Sequence, residues 1–183
     1  MTIEFKLTRD PHLLEQYYAL REQCFREELG IHDFDGSEDE ADRQGQIFLA
    51  IKDGRCIGGA RISHQLPATG YHEELDLHPA TCCMWERSFL DPGERTLQLF
   101  RDFCLHLVGA TRMLGYQHAM VLSSLRNARF YRQCHSAMGI GFQIHRQAPE
   151  CAKGSFAGLE HYLSVSRLNE AHLQLVKPLR KAA

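Results

Sequence analysis

The residues best suited to chemistry gather early in the chain. Arg21-x-x-x-Phe25 is followed by a pair of acids, Asp39 and Asp42, at a spacing of three, and then by Gly58-Gly59-Ala60-Arg61. A guanidinium clamps a carboxylate through paired N–H bonds, and carboxylates hold an ammonium, so this set suits a small substrate carrying both charges. Further on, Met84-Trp-Glu-Arg-Ser-Phe89 sets Glu86 in an apolar segment, where a carboxylate can take a proton from an amine directly or through water. Any one of these charges alone reads as ordinary surface. Asp42 is the more structural of the two acids, and Phe25 and Trp85 read first as core residues that shape a pocket.

Other chemistries lack their residues. Asp33-Phe-Asp-Gly-Ser-Glu-Asp39 looks like a calcium loop, but its Gly stands at the fourth position and the loop needs it at the sixth. The 11 His residues include no His-Glu-x-x-His or other ligand spacing, so no metal is expected. There is no Gly-x-Ser-x-Gly elbow. The 7 Cys residues are scattered without Cys-x-x-Cys, which suits a reduced, cytoplasmic protein better than a disulfide scaffold. A net charge of −2 gives no field for nucleic acid. No apolar run reaches the ~20 residues of a membrane helix, and the N-terminus lacks the blocks of a signal peptide. A small-molecule substrate is the expected partner, and the oligomeric state is left open.

The elements that must position these residues follow from periodicity. At 183 residues, 44% hydrophobic and 24% charged, the chain is read as one domain over 1–183. Ile3, Phe5 and Leu7 alternate as a half-buried strand. Asp10 and Pro11 open a helix that Gly30 closes. Residues 30–45 and 64–79 read as loops, and 46–52 and 55–63 as strands joined by an Asp53-Gly54 hairpin turn. A strand over 81–90, a helix over 96–114, an interior strand over 119–123, a helix over 125–138 and strands over 142–145 and 161–166 complete the order. Residues 168–183 form an amphipathic tail. This order predicts an α/β (α+β) fold, a mixed sheet with helices on both faces.

The order of elements resembles the GNAT superfamily of N-acyltransferases. Within it, Arg21 and Phe25, Asp39 and Asp42, and Gly58 and Arg61 resemble motifs of the acyl-homoserine-lactone synthases and related N-acyl amino acid synthases. That resemblance implies a mostly antiparallel sheet whose central strands splay to hold an acyl thioester. It implies an acyl-CoA or acyl carrier protein (acyl-ACP) donor and an amino-acid-like acceptor, S-adenosylmethionine if a lactone forms. Arg21, Phe25, Asp39, Asp42, Arg61 and Trp85 would serve the acceptor, and Glu86 would be the base. Arg87, Ser88 and Phe89, on the strand bordering the gap, fall to the donor side.

The chain departs from the pattern in places. Phe89 stands where the synthases carry an arginine three residues after the acid. Strand alternation puts the neighbouring Arg87 on the face opposite Glu86. Instead of a glycine-rich phosphate loop there is Asp91-Pro-Gly-Glu-Arg-Thr96, in which only Gly93 and Arg95 suit an anion. Tyr131 matches the tyrosine that protonates the departing thiolate in many such enzymes, at a shifted spacing. Arg126, Arg129 and Arg132 give a basic helix face, a dock for the phosphates of CoA or for an acyl carrier protein, or simply a solvated face. An acetyl-CoA-dependent acetyltransferase of a small amine or protein lysine, and a non-catalytic acyl-thioester-binding module, remain alternatives.

Overall fold

The computed structural model describes residues 2–64, 70–152 and 154–169. Seven strands form one sheet in the order β1-β2-β3-β4-β5-β7-β6. Strand β1 (Ile3–Leu7) pairs antiparallel with β2 (Gln46–Lys52), which returns through Asp53-Gly54 into β3 (Arg55–Ser63). Both turn residues have positive φ, 49° and 80°, as a tight hairpin of this type requires. Next, β4 (Cys82–Leu90) runs antiparallel to β3 and parallel to β5 (His118–Ser123). Finally β7 (Tyr162–Arg167) inserts between β5 and β6 (Gly141–Gln147), antiparallel to both. Helix α1 (Pro11–Leu29) is capped by Asp10 and ended by Gly30 in the left-handed region.

The acidic segment 30–45 is not all loop. It contains α2 (Glu40–Gln44), opened by a reciprocal cap in which the Asp42 N–H donates to Asp39 and the Asp39 N–H to Asp42. Likewise 64–79 contains α3 (Tyr71–Glu74), and β6 extends past the expected 142–145 because its backbone goes on pairing with β7. Residues 170–183 of the amphipathic tail lie outside the described residues. All seven Cys residues are free. Among the described residues no helix is long and apolar enough to cross a membrane.

The sheet is buried on both faces. Leu13, Leu14, Tyr17 and Cys24 of α1 pack on Ile47, Leu49, Ile51, Cys56 and Phe89. On the other face, α4 (Leu97–Met113) and α5 (Leu125–Ala137) cover Phe48, Ile57, Ile62, Trp85 and Val121. Gly59 is required where α1 crosses β3, since a Cβ there would lie 2.9 Å from the Tyr17 ring and 2.6 Å from the Phe48 carbonyl oxygen. Gly36 has a similar role, because a Cβ would lie 2.3 Å from Cβ of Glu22. The acidic loop can therefore lie directly on α1, and Arg21 reaches its backbone.

Arg21 and Asp42 lock that loop in place. The guanidinium is 1% exposed and donates to both Asp42 oxygens, at 3.0 and 2.9 Å, and to the carbonyls of Gly36 and Ser37. A buried pair of this kind is stable only while both partners are present. Asp42→Asn should lower unfolding free energy by about 3–5 kcal/mol, the range for leaving a buried cation uncompensated, read by urea denaturation. Replacing Arg21 and Asp42 together with apolar residues should recover part of the loss.

His135 sits in the opposite core against Trp85 and Phe142. Its Nδ1–H donates to the Tyr131 carbonyl oxygen at 2.8 Å, and among the described residues Nε2 has no partner. Burial lowers its pKa from 6.5 to about 4, so the folded state keeps the ring neutral. Between those values the unfolded chain binds the extra proton. The contribution is therefore complete above pH 6.5 and is lost as pH falls toward 4, to a total of about 3 kcal/mol. His135→Asn should flatten this slope, so that the stability gap between variant and wild type narrows from pH 7 to pH 4.5 in urea melts.

Candidate functional site

Arg61 connects the structural lock to the exposed acids. It lies on β3 directly opposite Glu86 of β4. Its Nε–H donates to Glu86 at 3.0 Å, and Nη1 donates to Asp39 at 2.7 Å and Asp42 at 3.0 Å. Arg61 itself is buried, whereas the Asp39 and Glu86 side chains are 43% and 33% exposed. Burial pushes the Asp39 carboxyl up, but the Asp42 backbone N–H and the Arg61 guanidinium outweigh it and hold the carboxyl below the usual range. The acids press the Arg61 pKa upward despite its burial. The result is a fixed cation presenting two solvent-facing carboxylates. An ammonium could be held there and lose its proton.

Next to Glu86, β4 carries a bulge. Gly59 and Arg61 are two positions apart on β3, while their partners Phe89 and Glu86 are three apart, so the extra residue lies at Arg87-Ser88. Arg87 has φ 52°, in the left-handed region that a non-glycine residue seldom adopts. The bulge breaks the strict alternation of the strand. Arg87 therefore does not lie on the face opposite Glu86, as simple alternation requires, but on the same face. Its guanidinium carbon is 5.9 Å from the Phe25 ring, 5.2 Å from Phe34 and 4.6 Å from Phe156. Ser88 is turned to the opposite face, with Oγ near the Tyr131 hydroxyl but outside hydrogen-bond geometry.

The sheet opens at the same point. Strands β4 and β5 pair only from Cys82–His118 to Trp85–Val121, and β4 then continues to Leu90 without β5 beside it. Tyr131 of α5 is buried by Trp85, Phe100 and Phe142, and burial raises its pKa, so it keeps its proton. Trp85 and Phe89 do not join the cluster. The Trp85 ring lies on the far face, with Nε1–H donating to Thr111 at 2.9 Å, and Phe89 packs under α1 against Tyr17.

The start of α4 does not form an open anion cradle. The Gly93 N–H donates to Asp91, and Arg95 donates to Glu28 and to the Leu90 carbonyl oxygen. Glu94 is held nearby by Lys52 and Arg55. By contrast Arg126, Arg129 and Arg132 are exposed along α5. An open cleft of about 520 Å³ lined by His64, His72, Cys82 and Tyr116 lies at the start of β4, apart from these groups. Among the described residues no cluster of His, Cys, Asp and Glu could hold a metal ion. Sequence reasoning missed Phe156, which sits in an irregular segment with no periodic signal, and gave Phe34 no role in a ring cluster.

No protein-family model and no curated protein sequence matches the chain. Solved structures do. The AHL synthase LasI superposes with a TM-score of 0.65 at 15% identity, covering 93% of this chain and 92% of its own. The CoA-dependent acyl-homoserine lactone synthase BjaI, solved with SAM and isopentyl-CoA, gives 0.66 at 17%, covering 91% and 82%. An acetyltransferase of the GNAT family from Staphylococcus aureus Mu50 gives 0.59 at 15%, covering 91% and 99%. The chain therefore has the fold shared by GNAT acetyltransferases and acyl-homoserine-lactone synthases.

Proposed function

We propose that the protein is an N-acyltransferase that moves an acyl group from a thioester to the amine of a small amino-acid-like acceptor. The observation that carries this reading is the exposed carboxylate pair, Glu86 and Asp39, fixed by Arg61 beside the bulge where β4 and β5 part. The thioester would lie in that opening, its carbonyl polarised by backbone N–H groups that the bulge frees from pairing. The acceptor amine gives a proton to Glu86, its nitrogen bonds to the carbonyl carbon, and the carbon–sulfur bond breaks. Tyr131 can pass its proton to the leaving thiolate and regain one from solvent.

The acids at the start of α4 oppose a diphosphate, and the cationic face of α5 suits an acidic carrier. An acyl carrier protein is therefore the favoured donor and acyl-CoA the second. S-adenosylmethionine is the acceptor if ring closure follows acylation. The test incubates pure protein with short and medium acyl-ACP and acyl-CoA, together with S-adenosylmethionine or a mixture of amino acids, and reads product mass. An acylated small molecule is expected. Acetylation alone would move the protein among the acetyltransferases, and no product with any donor would make it a binding module. Glu86→Gln should lower kcat by about 10²–10⁴ with the fold intact by circular dichroism; full activity in that variant would remove Glu86 from the mechanism.

A further inference from the structure

Arg87 is set apart from the other guanidiniums of the site. Arg21 spends all three guanidinium nitrogens on Asp42 and loop carbonyls, and Arg61, 4% exposed, spends Nε and Nη1 on Glu86, Asp39 and Asp42, so neither has a pair of nitrogens left for a ligand. The nearby Arg26 donates to the Phe34 carbonyl oxygen and pairs with Glu22. Among the described residues Arg87 has neither a hydrogen-bond acceptor nor an ion-pair partner, although Glu86 is its neighbour in sequence. It is half-buried, and burial first, then the nearby Arg61 and Arg21, lower its pKa.

Four separate segments place it so. Phe25 comes from α1, Phe34 from the acidic loop, Arg87 from the β4 bulge and Phe156 from the segment after β6. The rings flank the planar guanidinium and supply no hydrogen-bond acceptor. An arginine with five donors in such a setting is complete only when a planar oxyanion arrives. The left-handed backbone at Arg87 accompanies the bulge that turns the side chain onto the α1 face, against Phe25, Phe34 and Phe156.

We propose that Arg87, held among Phe25, Phe34 and Phe156, binds the carboxylate of the acceptor, so that the acceptor is a free α-amino acid or a derivative that keeps its carboxylate. This rests on the acyl-transfer reading and adds what it leaves open: the amine lies toward Glu86 and Asp39, the carboxylate at Arg87. Side chains of apolar or thioether character suit the surrounding rings.

The test compares each accepted amino acid with its carboxamide, which keeps amine and side chain and loses only the negative charge. Wild type should prefer the acid. Arg87→Met, which fills the space among the rings, should raise KM for the acid about 10–150-fold, the range for a charge-assisted hydrogen bond, and raise KM for the amide by much less, so that the acid-to-amide preference collapses. Arg87→Lys should restore part of the preference. An unchanged acid-to-amide ratio in Arg87→Met would overturn the proposal while leaving acyl transfer intact.

Binding gives a readout independent of turnover. In the ¹⁵N–¹H spectrum of the full chain, the Arg87 Nε–H resonance, assigned by its loss in Arg87→Lys, should shift with a mixture of free L-amino acids and S-adenosylmethionine. It should not shift with the corresponding amides. No shift with the acids, or a shift with coenzyme A instead, would also overturn it. A shift without product from any donor would support the carboxylate site and sink the transferase reading.

Discussion

A single carboxylate, Asp42, is shared by two arginines that arrive from different elements. Arg21 comes from α1 and Arg61 from β3, and all three side chains are at most 4% exposed. Charges removed from water in this way are tolerable only as a complete set, since any missing partner leaves an uncompensated ion. The requirement fixes more than a contact. It brings the acidic loop down on α1 where Gly36 allows contact, starts α2 through the mutual Asp39–Asp42 cap, and orients Arg61 so that its remaining donors point outward. The exposed acids Asp39 and Glu86 thereby stand on a buried, prepaid scaffold. A ligand arriving there meets charges already in place, so little ordering entropy is lost on binding.

The bulge at Arg87-Ser88 carries the second constraint. A regular β4 would send residues alternately to the two faces, with Glu86 and Ser88 together and Arg87 opposite them. The extra residue re-phases the strand, so that Glu86, Arg87 and Phe89 serve the α1 face while Ser88 turns toward Tyr131 of α5. It stands where β5 ceases to accompany β4, so the backbone it disrupts is the one the opening exposes. A single local irregularity therefore joins the carboxylate cluster on one face of the sheet to the protonated tyrosine on the other.

How much of this was legible in the sequence depended on whether the signal was local. Alternation at 3–7, the Asp53-Gly54 turn, and caps at Asp10 and Gly30 all act within a few residues, and the strands and long helices came out within a residue or two of their expected ends. Arg21, Asp39, Asp42 and Arg61 could be grouped through a resemblance in order, although sequence could not show that Arg21 is consumed by the loop. Helix α2 was hidden because an aspartate pair spaced three apart reads as acidic loop unless the mutual cap is seen. The face of Arg87 was misread for a different reason: a bulge is defined by the partner strand, and its register is not written in β4 alone. Phe89 follows the bulge and shares this change of phase, whereas Trp85 precedes it and lies in the core on the face opposite Glu86. Phe156 is brought to Phe25 by the sheet order, with β7 inserted between β5 and β6, which no short-range pattern conveys.

The same cluster logic bears on how a donor could be held. At the start of α4 the Thr96 hydroxyl accepts from the Leu99 N–H, the Asp91 carboxylate from Gly93, and Arg95 is drawn off by Glu28. Glu94 and Asp91 are matched by Lys52 and Arg55 across the β2–β3 hairpin, which leaves a neutral, self-satisfied corner. A diphosphate placed there would have to break ion pairs to gain contacts, and partly exposed pairs give back little when reformed. On α5 the situation is reversed: Arg126, Arg129 and Arg132 face solvent with the partly exposed Phe130 among them. A surface of unspent cations beside an apolar ring attracts an acidic partner over distance and offers it something to bury on arrival. On the proposed acyl-transfer reading, this charge pattern would separate two tasks that a glycine-rich phosphate loop combines, with the fixed ions of the α1 face serving an acceptor and the cations of α5 a donor.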